Sequence, residues 1–350
     1  MSEKFKILSI DGGGLKGVVP LQVIKEIEKL TKQPIHKTFD LIAGTSTGGL
    51  LTCALLLEDD KSIEGNKRKY SLEQIQELYI EKGKDIFPKY KYFSWILMHT
   101  RKWIRPMYFT KSFDKILKDY FSDYRITSCL KPIYISSYDI HRNIPLIFTT
   151  RNATAIDEKN SRLVDICRAT SAAPTYFPTY TFNYNKENVV CIDGGMIMNN
   201  PSLGALIEVL GNSSYKHYKK NNKPLELSDI AILSLGTGIS SKQYSSKYSK
   251  RWGLLRWIKK VVNITLSAPV NLVSDQLETL YKSNNIEKNY LRLNVEIDEK
   301  YAEMDDSRES TLNYLLDVTN SKITNNHTLK DRLKIFLTES GVNIDEKNCC

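Results

Sequence analysis

The sequence predicts an α/β protein whose mainly parallel central sheet is covered by helices. A short apolar run at 5–10 enters a glycine loop, and residues 18–30 then carry apolar side chains at helical spacing. Residues 39–43 repeat this pattern, because they enter a second glycine turn that is followed by an apolar helix at 50–57. Two successive units of strand, loop and helix are typical of a parallel sheet.

Further elements follow along the chain. The predicted strands are 133–138, 146–149, 189–192 and 230–235. The predicted helices are 70–87, which Pro88 ends, and then 272–283, 312–320 and 329–339, in a chain that becomes helical after about 267. The aromatic and basic segment 89–105 fits either a lid that faces a membrane or an irregular loop, and the lysine-rich segment 215–223 fits a surface loop.

The chain has the composition of a folded globular protein. It contains 350 residues, of which 41% are hydrophobic and 26% charged, so a large core can form. The polar start at 1–6 lacks the features of a signal peptide, and the longest apolar run, 50–57, is far shorter than the ~20 residues of a membrane-spanning helix. We therefore expect a cytoplasmic protein whose contact with membranes is peripheral.

The cysteines support a reducing compartment. The six cysteines lack metal-ligand spacing, and Cys53, Cys167 and Cys191 lie in apolar contexts that predict reduced core positions. We expect no metal and no cofactor. The terminal pair Cys349 and Cys350 resembles one signal for prenylation, which leaves lipidation there as an alternative.

Positive charge is concentrated in one part of the chain. The formal net charge is +10, and residues 241–260 contain seven Lys and Arg residues without an acid, interleaved with Trp252 and Trp257. Cations beside tryptophan suit an anionic lipid surface better than nucleic acid, and we expect no nucleic-acid partner. A solvated charged face beside ordinary core residues is an equally open interpretation.

A candidate nucleophile lies in the second glycine turn. Ser46 is flanked as Gly44-Thr45-Ser46-Thr47-Gly48 between a predicted strand and a predicted helix. This context forces a strained turn that exposes the serine hydroxyl, and small neighbours avoid collisions there. The positive end of the following helix also points toward any anion that forms at Ser46.

The partner of Ser46 is predicted to be a carboxylate. The five histidines lie in segments without glycine turns or strand-end placement, and His141, which follows a strand, keeps the largest claim to a catalytic role. Asp193 follows the apolar run 189–192 and precedes Gly194 and Gly195, so we expect it at a strand end near Ser46. A partly desolvated carboxylate can accept the serine proton directly, although an aspartate that stabilises its own turn is the alternative.

The first glycine loop is the candidate oxyanion hole. Consecutive glycines let backbone N–H groups approach a negatively charged oxygen, and a lysine in the loop adds positive charge. The candidate residues are Gly12, Gly13, Gly14, Lys16 and Gly17. The spacing Gly-x-Gly-x-x-Gly also fits a dinucleotide fingerprint, but that motif does not explain Asp11 or the triple glycine.

Together these segments resemble the patatin-like phospholipase family. The resemblance is carried by the glycine loop 11–17, by Gly44-Thr-Ser-Thr-Gly48 and by Asp193-Gly-Gly195, in this order. Three further stretches are similar to the family, namely Ala169-Thr-Ser-Ala-Ala-Pro-Thr-Tyr-Phe-Pro178, Asn199-Asn-Pro201 and Ser234-Leu-Gly-Thr-Gly238. One departure is Lys16, where arginine is common in the family, although the positive charge is retained.

The resemblance implies a fold, a site and an activity. It implies a three-layer α/β/α fold and spans roughly residues 5–310. We expect a catalytic domain at 1–310 and, outside the resemblance, a helical C-terminal extension of unknown function at 311–350. The resemblance implies Ser46 as nucleophile, Asp193 as its base without a histidine, and amides of the Gly12 to Gly17 loop as oxyanion hole. The implied activity is calcium-independent cleavage of acyl esters in membrane phospholipids or galactolipids. Acyl transfer at the same residues and a catalytically silent lipid-binding protein are alternatives, and an activating ligand or protein stays open.

Overall fold

The computed structural model describes residues 3–62, 65–88, 105–218, 223–240, 246–250 and 252–344. The predicted flap at 89–105 lies outside the described residues except for its last residue, as do the loop residues 219–222. Cys349 and Cys350 also lie outside them.

A mixed sheet of eight strands forms the centre of the protein. The strands along the chain are β1 (Phe5–Ile10), β2 (Leu41–Thr45), β3 (Ile133–Asp139), β4 (Ile144–Thr149), β5 (Tyr180–Tyr184), β6 (Glu187–Asp193), β7 (Ile230–Leu235), β8 (Ile239–Ser240), β9 (Tyr290–Leu293) and β10 (Glu296–Ile297). The large sheet has the order β5-β6-β3-β2-β1-β7-β9 with β4 paired to β3, whereas β8 and β10 form a small separate sheet. The five strands from β3 to β9 in this order run parallel, which confirms the predicted mainly parallel sheet.

Two strands meet end to end along β3. The antiparallel strand β4 pairs with 134–139 of β3 and occupies one edge of it. On the other edge, β2 runs parallel to β3 and ends where Thr45 pairs with Ser136, and β6 runs antiparallel and ends where Asp193 pairs with Ser137. The carboxyl ends of β2 and β6 therefore face each other at the middle of β3.

Helices cover both faces of the sheet, as the predicted three-layer α/β/α fold requires. The helices are α1 (Val18–Thr31), α2 (Ile35–Thr38), α3 (Thr47–Leu56), α4 (Leu72–Ile80), α5 (Gly83–Ile86), α6 (Lys111–Phe121), α7 (Thr150–Ala155), α8 (Leu163–Thr170), α9 (Gly195–Met198), α10 (Ser202–Leu210), α11 (Ser246–Ser249), α12 (Leu254–Ser283), α13 (Glu309–Thr319) and α14 (His327–Glu339). Leu8 and Ile10 of β1 pack on the layer that contains α1 and α3, while Phe5 and Ile7 pack on α10 and α12. This alternation follows from the two-residue period of a strand.

Some elements differ from the sequence prediction. The predicted helix 70–87 is divided into α4 and α5, and the strands β5 and β9 were not predicted. Helix α12 begins at Leu254, well before the predicted start near 267. Pro269 lies inside this helix, and a proline is more often found in the first turn, so the sequence pattern favoured a later start. Among the described helices, none is both long and apolar enough to cross a membrane.

The C-terminal helices belong to the main hydrophobic core. Leu312 and Leu315 of α13 and Phe336 of α14 are buried in the same cluster as β1 and α1. Lys330 of α14 also forms an ion pair of 2.7 Å with Glu26 of α1. The division into a domain at 1–310 and an extension at 311–350 stays a prediction, but the packing couples both parts energetically.

This packing predicts that a core mutation in α14 destabilises the whole protein. Phe336→Ala removes a side chain that is 2% exposed and should lower the free energy of unfolding by about 3–5 kcal/mol, because it leaves a cavity. Ile335→Ala, at a neighbouring side chain that is 51% exposed, is the matched control and should change it by less than about 0.5 kcal/mol. Urea unfolding measures both values, and equal midpoints for the two variants would contradict the shared core.

Candidate active site

Ser46 lies on a strained turn between β2 and α3. Its backbone has φ 53° and ψ −120°, a left-handed conformation that non-glycine residues rarely adopt. A side chain at Gly44 would collide with the Gly48 carbonyl, and one at Gly48 would collide with the Ile10 carbonyl. The Ser46 N–H donates to Thr170 Oγ1 at 2.9 Å, which helps to hold the turn. The flanking glycines are therefore required by steric contact, as the sequence pattern predicted.

Asp193 lies within hydrogen-bond distance of Ser46. The Ser46 hydroxyl donates to Asp193 Oδ2 at 2.7 Å, and the Gly195 N–H donates to Asp193 Oδ1 at 2.7 Å. A side chain at Gly194 would collide with the Ser136 carbonyl, so this turn too depends on glycine. The two side chains meet because β2 and β6 end at adjacent positions of β3.

Burial changes the acidity of Asp193. Desolvation raises the pKa of this carboxyl to about 6, while the hydrogen bonds from Ser46 and Gly195 act in the opposite direction. A carboxylate with this pKa is ionised at neutral pH and is a stronger base than an exposed aspartate. The pair can therefore transfer the serine proton without a histidine.

The first glycine loop lies against the same turn. The Gly12 N–H donates to the Asn199 carbonyl at 3.1 Å, and Thr237 Oγ1 donates to the Gly12 carbonyl at 2.8 Å. Gly14 has φ +60°, and its conformation suits glycine. Within the described ranges, the N–H groups of Gly13 and Gly14 have no acceptor, and both residues line a cavity with Ser46. These two amides are the loop's available donors for an oxyanion.

The remaining predicted loop residues have different surroundings. Lys16 lines the cavity, and desolvation lowers the pKa of its ammonium group to about 8, whereas the negative charge of Glu303 acts to raise that pKa. Gly17 is absent from the described cavity lining, and a side chain there would collide with Tyr79. Gly17 therefore allows close packing of the loop on α4.

Two cavities of different polarity meet at Ser46. The larger, called the polar cavity here, has a volume of about 350 Å³ and walls of mixed polarity, whose charged residues include Asp11, Lys16 and Asp193. The smaller, of about 50 Å³, has almost wholly apolar walls formed by residues such as Phe87, Phe113 and Phe177. Four residues line both cavities, namely Gly14, Ser46, Ala173 and Met304. Ser46 therefore lies where the two cavities adjoin.

Comparison with known proteins identifies the family. A family model described as patatin-like phospholipase matches residues 8–206. Patatin-2-Kuras 3 from Solanum tuberosum is 31% identical over 335 residues, which cover 91% of this chain and 83% of that protein. The chain belongs to the patatin-like phospholipase family. This membership makes it a lipid acyl hydrolase at the level of the family, and it replaces the dinucleotide-binding interpretation of the glycine loop.

A second relative has a similar sequence identity, whereas a solved structure is much less similar. Patatin-like protein 2 from Oryza sativa subsp. indica is 32% identical over 315 residues, covering 82% of this chain and 75% of that protein. Among solved structures, VipD from Legionella pneumophila matches with a TM-score of 0.34 and 12% identity, covering 91% of this chain and 67% of that chain. The last similarity is too weak to establish a shared fold.

A buried ion pair anchors the start of the glycine loop in this patatin-like chain. Arg292 of β9 donates to Asp11 Oδ1 at 3.0 Å and to Ser234 Oγ at 2.7 Å, and its second terminal nitrogen bonds Asp11 Oδ2. The Arg292 side chain is 9% exposed and that of Asp11 2%. The pair joins the loop to strands β7 and β9. Sequence reasoning missed Arg292, because an isolated arginine in a predicted helical region carries no motif.

Asn199 is a second residue whose role emerges only from the structure. Its carbonyl accepts from Gly12, and its Nδ2 donates to the Leu266 carbonyl of α12 at 2.8 Å. Asn199 therefore connects the glycine loop to the helix that borders the polar cavity. The stretch Asn199-Asn-Pro201 is similar to the family in sequence, but the contact of Asn199 with Leu266 depends on tertiary packing.

The histidines differ from Asp193 in their placement within the described part of the chain. His36 is buried, its Nε2 lies 3.3 Å from the Asn66 carbonyl, and desolvation lowers its pKa to about 4. His141 and His327 are exposed, and no histidine among the described residues lines the polar cavity. His99 lies outside the described residues. The geometry therefore favours Asp193 over His141 as the partner of Ser46.

The close approach of the glycine loop to Ser46 can be tested by a single methyl group. In Gly12→Ala the new Cβ would collide with Asn199 Oδ1 and lie 3.2 Å from Ser46 Cβ, so the loop must move. We expect kcat/KM for a soluble ester to fall by about 10²–10³, the loss typical of a disturbed oxyanion hole.

Gly253→Ala is the matched control for this variant, because nothing lies within 4 Å of its Cβ. It should retain wild-type kcat/KM. Circular dichroism verifies that both variants are folded, and unchanged activity in folded Gly12→Ala would refute the required approach.

Proposed function

We propose that the protein is a calcium-independent lipid acyl hydrolase of the phospholipase A type, with Ser46 and Asp193 as its catalytic dyad. The observation that carries this proposal is the 2.7 Å hydrogen bond from Ser46 to a buried Asp193 at the junction of an apolar and a polar cavity. Among the described residues, no group of three or more His, Cys, Asp or Glu is arranged to hold a metal ion. Calcium independence itself rests on the family resemblance.

The first chemical step acylates Ser46. Asp193 accepts the hydroxyl proton while Ser46 Oγ forms a bond to the ester carbonyl carbon, and the carbonyl oxygen becomes an oxyanion. The N–H groups of Gly13 and Gly14 donate to this oxyanion, assisted by the positive end of α3. The bond to the leaving alcohol then breaks, and that alcohol takes the proton from Asp193.

The second step returns the enzyme to its starting state. Asp193 accepts a proton from water, and the resulting nucleophile attacks the carbonyl carbon of the acyl-serine. The bond from Ser46 Oγ to that carbon breaks, the fatty acid leaves, and Ser46 regains the proton. Asp193 therefore serves as the base in both steps, first for the Ser46 hydroxyl and then for water.

Each cavity suits a different part of a membrane lipid. The apolar cavity between Phe87, Phe113 and Phe177 suits a fatty-acyl chain, because burial of methylene groups there is favourable. The polar cavity suits the glycerol and head group of a phospholipid or galactolipid. Lys16 supplies a cation that can pair with a phosphate oxygen.

Two alternative activities use the same geometry. Acyl transfer differs only in the acceptor, because an alcohol replaces water in the second step, and the polar cavity is large enough to hold either. A silent lipid-binding protein would have no need for a desolvated Asp193 in contact with Ser46. Product analysis of labelled phospholipid separates free fatty acid from a transferred acyl group.

The proposed setting is the cytoplasm, with peripheral contact to membranes. The buried and free Cys53, Cys167 and Cys191 fit a reducing compartment. The excess of Lys and Arg in 241–260 fits an anionic lipid surface. An activating ligand or protein is compatible with this setting and is not required by the mechanism.

Removal of either dyad residue tests the proposal directly. Ser46→Ala and Asp193→Asn should each lower kcat for phospholipid hydrolysis by at least about 10³, since each eliminates one half of the proton-transfer pair. A fluorophosphonate probe should label the wild type at Ser46 and leave Ser46→Ala unmodified. Ser283→Ala, at an exposed serine of α12, is the control and should retain both activity and labelling. Full activity in Asp193→Asn would exclude the dyad.

The pH dependence of kcat/KM provides a separate test. Asp193 acts as a base only when ionised, and its pKa is raised to about 6, so activity should rise with pH through about 6. Lys16 loses its charge above its pKa of about 8, so activity on anionic lipids should decline there. Lys16→Met should abolish the decline near 8 and retain the rise near 6. An acid limb at the pKa of an ordinary exposed aspartate, near 4, would contradict Asp193 as the base.

A further inference from the structure

Helix α12 carries an exposed apolar stripe along its outer face. Trp257, Val261, Ile264 and Leu272 are 40%, 49%, 38% and 58% exposed. Ala268 lies between the last two and is also exposed. Their spacing of four, three, four and four residues places all five within about 80° around a helix that turns about 100° per residue. The stripe is therefore continuous and faces away from the sheet.

The opposite side of the same helix is packed and borders the active-site cavity. Leu277 and Tyr281 are buried against the sheet, and the buried Val270 lines the polar cavity. Leu266 lines the polar cavity and accepts a hydrogen bond from Asn199. Ile264 belongs both to the exposed stripe and to the cavity lining. The stripe therefore lies at the mouth of the cavity that contains Ser46.

The chain around this stripe is basic. Residues 230–274 contain no Asp or Glu and seven Lys and Arg residues. At the start of the helix, Lys260 lies 4.3 Å from the ring centroid of Trp252, and Trp252 packs edge to face with Trp257 at 5.2 Å. Tryptophan next to lysine, beside a row of aliphatic side chains, is the composition that binds the interface of an anionic bilayer.

We infer that the face of α12 formed by Trp257, Val261, Ile264, Ala268 and Leu272 docks on the surface of an anionic lipid bilayer. Aliphatic side chains enter the boundary between head groups and acyl chains, and the surrounding cations pair with lipid phosphates and carboxylates. Because this face borders the cavity mouth, docking directs the cavity toward the bilayer, from which a lipid can enter without crossing water. This inference rests on the proposed function for its substrate, but vesicle binding can be measured without catalysis.

The experiment measures sedimentation with vesicles of phosphatidylcholine alone and of phosphatidylcholine mixed with phosphatidylserine. Binding is measured in a Ser46→Ala background, so that no lipid is consumed. We expect binding to the mixed vesicles that weakens as ionic strength rises. The double variant Val261→Gln/Leu272→Gln should partition at least about tenfold more weakly, since both side chains lose apolar burial.

A matched double variant controls for the loss of exposed apolar area elsewhere. Ile207→Gln/Ile335→Gln changes side chains that are 59% and 51% exposed on α10 and α14. It should bind vesicles like the parent protein. Neither Val261 nor Leu272 lines the cavity within the described residues, so with Ser46 restored both double variants should hydrolyse a soluble short-chain ester at the wild-type rate.

Three results would overturn the inference. The first is unchanged vesicle binding in Val261→Gln/Leu272→Gln, and the second is equal binding to both vesicle compositions. The third is a wild-type dimer that this variant converts to a monomer with unchanged vesicle binding, which would assign the face to a contact between two copies. Absence of soluble-ester hydrolysis in the wild type would instead refute the proposed function and leave the binding result intact.

Discussion

The hydrogen bond from Ser46 to Asp193 is the interaction on which the rest of the site depends. It exists because β2 and β6 approach along the same edge of β3 from opposite directions and both stop near its middle, at Ser136 and Ser137. In a fully parallel sheet, the carboxyl ends of neighbouring strands lie side by side and point in the same direction. The antiparallel entry of β6 instead aims one carboxyl end directly at the other, and the glycines that flank each residue let the two turns close.

Burial gives this contact its chemical character. Desolvation raises the pKa of Asp193 toward the working pH, and the hydrogen bonds from Ser46 and Gly195 keep the carboxylate ionised near neutrality. The site therefore combines two features that cost stability, namely the buried carboxyl of Asp193 and the strained backbone of Ser46, whose φ is 53°. The Asp11 and Arg292 pair joins the neighbouring loop to β9, and within the described residues the N–H groups of Gly13 and Gly14 have no acceptor.

Two cavities and helix α12 surround Ser46. The proposed function assigns the acyl chain of a lipid to the apolar cavity and its head group to the polar cavity. Helix α12 forms the border of the polar cavity and is held to the glycine loop through Asn199. If α12 docks on a lipid surface as proposed, this one helix contacts both that surface and, through Asn199, the glycine loop.

The sequence by itself determined the local chemistry of the site. The strand, turn and helix around Ser46, the turn after Asp193 and the triple glycine are local patterns, because steric limits on backbone conformation act within a few residues. The parallel centre of the sheet was predictable from the two successive units of strand, loop and helix near the start of the chain. Tertiary structure alone decided which groups meet. The antiparallel direction of β6, the pairing of Arg292 with Asp11 and the contact of Asn199 with α12 join residues far apart in the chain, and no local pattern encodes such partners. Burial, which sets the pKa of Asp193, is likewise a property of the assembled layers.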